Sequence, residues 1–297
     1  MNFKSIKNGI LAFVIILLLM PIGHALMILI EELLEADKFI GAFIVGLLGL
    51  VLLILSLTRF QKKSVATISG LLAGILVWTG WVEFSFVWIA NKLSIPGAME
   101  NGEVVTKPEY LIMPSSLGLL STLMIFFLFN KSRCQFFNWF QRLFGLKKLI
   151  RVKSKDDRPI SIITFIETIM ILWFFYIVLL LVYDPDIAGD NHPMTFIVAF
   201  GSLIWSIYLF LNLIKINQLD YAIRYAIPTV IIFWNFIEVM GRWDLFKEIW
   251  VHPFEHWIEI LIITLLFIGF LGYYVVESRK ARMKLSTEQS VESGDNS

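Results

Sequence analysis

The chain has one cysteine, Cys134, among 297 residues. It forms no intramolecular disulfide and carries no CxxC redox or zinc motif. Charge is scarce: 16% of residues are Asp, Glu, Lys or Arg, against about 25% in a soluble globular domain. Histidine is scarcer, with four in the chain. That excludes the histidine-rich sites of membrane desaturases, and it disfavours two paired b-type haems, which need four histidines deep in separate spans. No P-loop and no GxGxxG occurs, which argues against nucleotide chemistry. A net charge of +1 supplies no field for nucleic acid, and none is expected as a partner.

Apolar residues fill the chain instead. They make up 58% of it, and the mean hydropathy is +0.76. A bilayer core of ~30 Å is crossed by about 20 apolar helical residues. Stretches of that kind run roughly over Ile10–Leu34, Phe39–Leu57, Val65–Ala90, Tyr110–Phe129, Ile160–Val182, Pro193–Ile214, Tyr221–Met240 and Phe254–Val276. The fold class that follows is all-α: a polytopic membrane bundle of about eight transmembrane helices, with the lipid bilayer as its first partner. The opening run "MNFKSIKNGILAFVIILLLM" has a basic start, full spanning length and no small-residue cleavage site. It is expected to stay as a first span. Pro21 and Pro228 fall inside spans and are expected to kink them.

Basic residues orient such a bundle, because cytoplasmic loops are enriched in them. With the N-terminus inside, 20 of the 25 Lys and Arg fall on the inner side. Both termini are therefore expected in the cytoplasm of a bacterial-type cell inner membrane. Nine of the 20 lie in residues 131–158, which divide the chain. Residues 1–130 form one half of four helices, 131–158 a cytoplasmic, amphipathic, basic linker, and 159–284 a second half of four helices. The polar tail 285–297 is expected to be disordered. In 134–150 aromatics and leucines alternate with Arg142, Lys147 and Lys148. That pattern predicts a helix on the inner leaflet, either a topology anchor or a site for anionic lipid.

The two halves resemble each other. "VWTGWVEFSFVW" from Val77 aligns with "IFWNFIEVMGRW" from Ile232, which sets Glu83 on Glu238, Trp88 on Trp243, Trp78 on Phe233 and Trp81 on Phe236. "FIV" recurs at Phe43 and Phe196. Halves with an even number of spans make parallel repeats about an axis along the membrane normal. This internal repeat would bring Glu83 and Glu238 face to face.

Glu83 is the one charged residue in its twelve-residue aromatic stretch. A carboxylate in hydrocarbon is penalised by several kcal/mol, so intramembrane acids mark functional sites. At ~1.5 Å per residue, Glu83, Glu238 and His24 lie about 27, 25 and 21 Å from the inner face, all in the outer third. Above them, outer loops carry Glu31, Glu109, His192, His252, Glu255 and His256. Pro253 suits the first turn of the eighth helix, which would set His252 and His256 four apart on one face. "HPFEH" matches H-x-x-E-H, but no third ligand follows on a downstream helix, so a protease is not inferred.

Three function classes remain open. The first is a membrane metalloenzyme, an oxidoreductase or hydrolase acting on a lipid or quinone. Glu83 and Glu238 would be catalytic. His24, Glu83, Glu238, His252 and His256 would hold a divalent Fe, Zn, Mn or Cu ion, with Glu31 and Glu109 as further candidates. The second is a secondary transporter with parallel repeats, which would need polar groups in the inner half, where Glu167 is the one embedded acid. The third is a non-catalytic assembly or sensing protein. For each of these residues a plainer role also exists: Glu83 and Glu238 as acceptors for indole N–H groups, and the outer histidines as interfacial belt residues.

Overall fold

The computed structural model describes residues 2–59, 62–100, 103–130, 135–146 and 159–294, without side chains for 100, 103–105, 135, 279 and 281–294. Cys134 and most of the basic linker, 147–158, lie outside the described residues, as do 295–297 of the tail.

Helix α1 (Phe3–Leu34) and α2 (Lys38–Thr58) are joined by a 3-10 turn at Glu35–Asp37. Helix α3 (Lys63–Val77) passes through a π turn (Trp78–Glu83) into α4 (Phe84–Leu93). A hairpin of β1 (Ala98–Glu100) and β2 (Glu103–Thr106) follows, pairing Ala98 with Thr106. Then come α5 (Pro108–Ile112), a 3-10 turn (Met113–Ser116) and α6 (Leu117–Phe129). The linker contributes α7 (Gln135–Leu143). The second half has α8 (Ile160–Tyr183), α9 (Pro193–Leu213), α10 (Leu219–Arg242) and α11 (Trp257–Gly294). Helix α11 runs into the segment 285–297 expected to be disordered. Helices α1 and α10 continue through Pro21 and Pro228.

Among the described residues, seven to eight helices are long and apolar enough to cross a membrane; the count turns on whether Phe3–Thr58 is one or two. They sort into two shells. Helices α1, α3–α4, α8 and α10 are central and largely buried. Helices α2, α6, α9 and α11 are peripheral and turn large apolar side chains outward: Ile40 and Leu48, Ile125 and Phe126, Ile197 and Ile204, Leu261 and Leu265. Small residues lie at the contacts between helices: Gly46 and Gly49 of α2 face Trp81 and Leu76, and Gly70 and Gly74 of α3 face Ser161 and Thr168 of α8. In lipid, helices associate by close packing rather than by apolar burial, so small residues belong at their contacts. The buried hydroxyls of Thr67, Thr164, Thr168 and Thr229 bond carbonyls of their own helices, which pairs these four donors without water.

Polar locks tie the end of the bundle where α1 and α10 begin. Arg224 of α10 grips Glu167 of α8 with Nε at 3.2 Å and a terminal nitrogen at 2.9 Å. Tyr274 of α11 donates to Asp220 at 2.9 Å, and Asn8 of α1 to the carbonyl of Asn217 at 2.9 Å. The α7 helix is amphipathic, as its sequence predicts, but its apolar face meets protein. Phe136 and Phe137 are buried against Phe174 and Phe127, and Gln141 donates to the carbonyls of Leu128 and Asn130. Leu143 and Phe144 are left exposed.

Candidate functional site

Each central helix sends one side chain to a common point, in the half of the bundle away from the N-terminus of α1. Helix α1 gives His24, the π turn Glu83, α8 Tyr176 and α10 Glu238. Tyr176 Oη lies 3.5 Å from Glu83 Oε1 and 3.4 Å from His24 Nε2. His24 Nε2 lies 3.3 Å from Glu238 Oε1. The two carboxylates are thus joined through a phenol and an imidazole. Glu83 is the sealed end, 4% exposed. The side chains of His24 and Glu238 keep 18% and 20% of their surface accessible.

Aromatic rings brace both ends alike. His24 stacks on Trp234 at 5.9 Å, and the Trp234 indole donates to Glu238 one turn along α10. Tyr176 lies 5.5 Å from Trp78, one turn before Glu83. Each half-site is therefore a carboxylate on one helix, a ring on a second that meets it, and a tryptophan from the carboxylate's helix against that ring.

The π turn aims Glu83. A π turn adds one residue to a helical turn and is common at functional sites. One added residue rotates everything beyond it by about 100° at 3.6 residues per turn. The turn is pinned from outside by Trp81, whose indole donates to the carbonyl of Phe43 on α2 at 3.1 Å and whose ring stacks on Phe43.

Proton accounting makes the series directional. A hydroxyl carries one proton, and neutral imidazole one N–H. When Tyr176 donates to Glu83, His24 Nε2–H is left for Glu238. When Tyr176 donates to His24 Nε2, that nitrogen has no proton for Glu238, and Glu83 must donate to Tyr176. The two arrangements differ in whether Glu83 holds a proton and in which His24 nitrogen carries the imidazole proton.

Other sequence-derived candidates fall elsewhere. Glu31 sits between Lys38 at 3.5 Å and Lys107 at 3.0 Å. Glu109 is buried at the start of α5 with Oε1 unpartnered. His192 caps α9, its Nδ1 accepting from the Met194 amide at 3.2 Å, a role its sequence neighbourhood did not disclose. His252 and His256 lie in the turns before α11, which begins at Trp257 and not near Pro253. His252 is exposed, and His256 pairs with Glu259 at 3.6 Å. No contact joins either to His24, Glu83 or Glu238 among the described residues. Among those residues no group of three or more His, Cys, Asp or Glu is arranged to hold a metal ion. Arg242 pairs with Asp190 and covers the Tyr183 ring at 4.4 Å.

Tyr176 and Trp234 were missed from the sequence. Tyr176 is the seventeenth residue of α8, about 24 Å along it at ~1.5 Å per residue. The depth count that singled out Glu83 would have found it, had hydroxyls been counted with the ionisable groups. Beyond Tyr176 lies Tyr110, ring centroids 6.5 Å apart. Tyr110 is also a wall of a cavity of about 220 Å³ at the outer end of the bundle. No protein-family model, curated protein or solved structure matches this chain.

Proposed function

We propose that this is a multi-pass protein of a bacterial-type inner membrane that binds and passes a proton near the outer face, with Glu83 and Glu238 as its acid–base groups. The observation that carries this is the unbroken Glu83–Tyr176–His24–Glu238 series. A proton on Glu83 passes to Tyr176, the phenol proton passes to the unprotonated Nε2 of a His24 that carries its own proton on Nδ1, and that Nε2 proton passes on to Glu238. The two rings end as they began, and Glu238 has gained the proton that Glu83 has lost. Positioned groups of this kind serve proton transfer to a bound substrate. The site lies among apolar helices, which favours a membrane-embedded substrate, a lipid or a quinone. The reaction is then an oxidation–reduction or a hydrolysis.

One-sidedness favours an enzyme over a transporter. Glu167 in the inner half is clamped by Arg224, and the hydroxyls of Thr164, Thr168 and Thr229 are bonded to their own helices. Duplication of the two halves is part of the proposal. His24 and Tyr176 are 152 residues apart, close to the spacing of Glu83 and Glu238 and of Phe43 and Phe196. The mirrored half-sites support it.

A second reading is favoured by the direct approach of His24 Nε2 to Glu238 Oε1. Imidazole beside carboxylate suits Fe, Zn, Mn or Cu. Glu83 would be the third ligand, with His252 and His256 drawn in from the outer turns.

Infrared titration of the protonated-carboxyl bands in lipid nanodiscs separates these. Glu83→Gln and Glu238→Gln should each remove one band. In the wild type the two bands should titrate as a coupled pair. Tyr176→Phe should leave both bands and uncouple them. Coupling that survives Tyr176→Phe would sink the relay. Stoichiometric metal in the wild type, lost in His24→Ala, would put the second reading in its place.

A further inference from the structure

Helices α1 and α11 part along their outward side and leave a groove of about 730 Å³. It runs from Phe3 to Val14 on α1 and from Leu265 to Tyr273 on α11. Nine of its eleven lining residues are apolar, and the other two are Lys7 and Tyr273. Gly269 makes the gap in α11, since a Cβ there would meet nothing within 4 Å. At ~1.5 Å per residue, Phe3 to Val14 covers ~16 Å, about half of a ~30 Å hydrocarbon core and so the depth of one leaflet.

The polar groups gather toward one end. Lys7 Nζ lies over the Tyr273 ring at 5.1 Å and is 3.8 Å from Glu277. Helical side chains lean toward the N-terminus of their helix, so the Lys7 ammonium reaches back toward Phe3. Lys4 is three residues before Lys7, and Lys280 three after Glu277, each on its neighbour's helix face; both are exposed. On these two faces three lysines stand against one glutamate, so this end is positive. The Lys7–Glu277 contact is long and solvent-accessible, and such a pair holds little. An anion can share Lys7 or displace the glutamate. An apolar slot of leaflet depth under a positive rim is complementary to an amphiphile with an acyl chain and an anionic head.

We propose that this groove holds one anionic phospholipid, its phosphate on Lys7 between Lys4 and Lys280, and one acyl chain laid past Gly269 toward Val14 and Leu265. Basic sites between membrane helices on the cytoplasmic side take anionic headgroups, and the division of Lys and Arg assigns this end to that side. The assignment does not depend on the relay.

The test is to extract the full chain from bilayers of equal phosphatidylglycerol and phosphatidylcholine with matched acyl chains, and to count the lipids that stay bound by native mass spectrometry. The wild type should keep one phosphatidylglycerol per chain. Lys7→Gln should lower its preference over phosphatidylcholine about fivefold, the worth of one basic residue at an anionic surface. Gly269→Phe should expel the lipid, because the ring fills the gap. Gly272→Phe is the control: Gly272 is equally open around its Cα but off the groove lining, so this variant should keep the lipid. Replacing a helical glycine does not cost helix propensity, so both variants should fold. Equal retention of the two lipids by the wild type, or an unchanged preference in Lys7→Gln, overturns the anionic class. Unchanged retention in Gly269→Phe overturns the groove. A wild-type dimer that Gly269→Phe splits would put a second copy of this chain there instead.

Discussion

Arg224 and Glu167 make the most consequential single contact outside the site. Both are nearly buried, at 12% and 3% side-chain exposure, and the fork contact is bidentate. Taking two charges out of water costs several kcal/mol per ion, and their mutual attraction offsets this only while both are present. Arg224→Met strands a carboxylate between α8 and α10 and should destabilise the fold by roughly 3–5 kcal/mol. Adding Glu167→Leu to that variant should restore most of the loss, since replacing a whole buried pair is often neutral. Thermal unfolding of the single and double variants in mild detergent measures both; a double variant as unstable as Arg224→Met would refute the pairing as the cause. The pair also illustrates what a sequence gives at this scale. Glu167 stood out as the embedded acid of the inner half, and Arg224 as one of the inner cations. Their partnership spans 57 positions and has no local signature. The candidate site divides the same way. His24, Glu83 and Glu238 were legible because a polar side chain is conspicuous in an apolar run, and depth follows from helix rise. Tyr176 was not, because a tyrosine within an aromatic-rich span looks like packing. His252 and His256 carried the sharper motif and lie apart from the cluster, since a five-residue match fixes spacing but not what the neighbouring helices present.

At the scale of elements, the π turn is the departure that matters. The spans themselves follow from apolar length, and their boundaries in the sequence agree with α2, α8 and α9 within a few residues. A π turn is hidden because its residues are as apolar and helix-compatible as those of an α-helix. Its cause is tertiary. Gly80 in the turn faces Gly46 of α2 so closely that a Cβ on Gly80 would meet the Gly46 nitrogen and the Ala42 carbonyl. Those are backbone atoms, which cannot swing aside. Gly80→Ala should therefore push α2 from the turn and cost about 1–3 kcal/mol, the range for overpacking. It should also move Glu83 from Tyr176 and weaken the coupling of the two carboxyl bands. Gly118→Ala is the control: it is helical in α6 and open around its Cα, so alanine there should be neutral or mildly stabilising through helix propensity. Equal effects of the two substitutions on unfolding temperature and on the carboxyl bands would show that the close approach has no special weight. The hairpin at Ala98–Thr106 was also invisible in the sequence. It is too short to carry an alternating pattern, yet it supplies a wall of the outer cavity.

At the scale of the whole molecule, orientation decides what the site can reach. The relay and the cavity share one end of the bundle, the end of Lys38, Lys107 and Arg242. The opposite end gathers Lys4, Lys7, Lys63, Arg142, Lys215 and Arg224. Basic residues near span ends are retained on the cytoplasmic side, so the 20-to-5 division of Lys and Arg predicts that the relay end faces away from the cytoplasm. Under the proposed function, a site on that side would draw protons from the outer aqueous phase, and a quinone or lipid in the outer leaflet would meet it without crossing the bilayer. The single cysteine makes this measurable. Cys134 lies in the basic linker, so an impermeant maleimide should label it in permeabilised cells and spare it in intact ones. Lys247 is exposed in the loop between α10 and α11, at the relay end. In a Cys134→Ser background, Lys247→Cys should label in intact cells. The second position guards against a Cys134 that is simply slow to react. If Lys247→Cys labels only after permeabilisation, the relay faces the cytoplasm, and its proton source and substrate must be sought on that side.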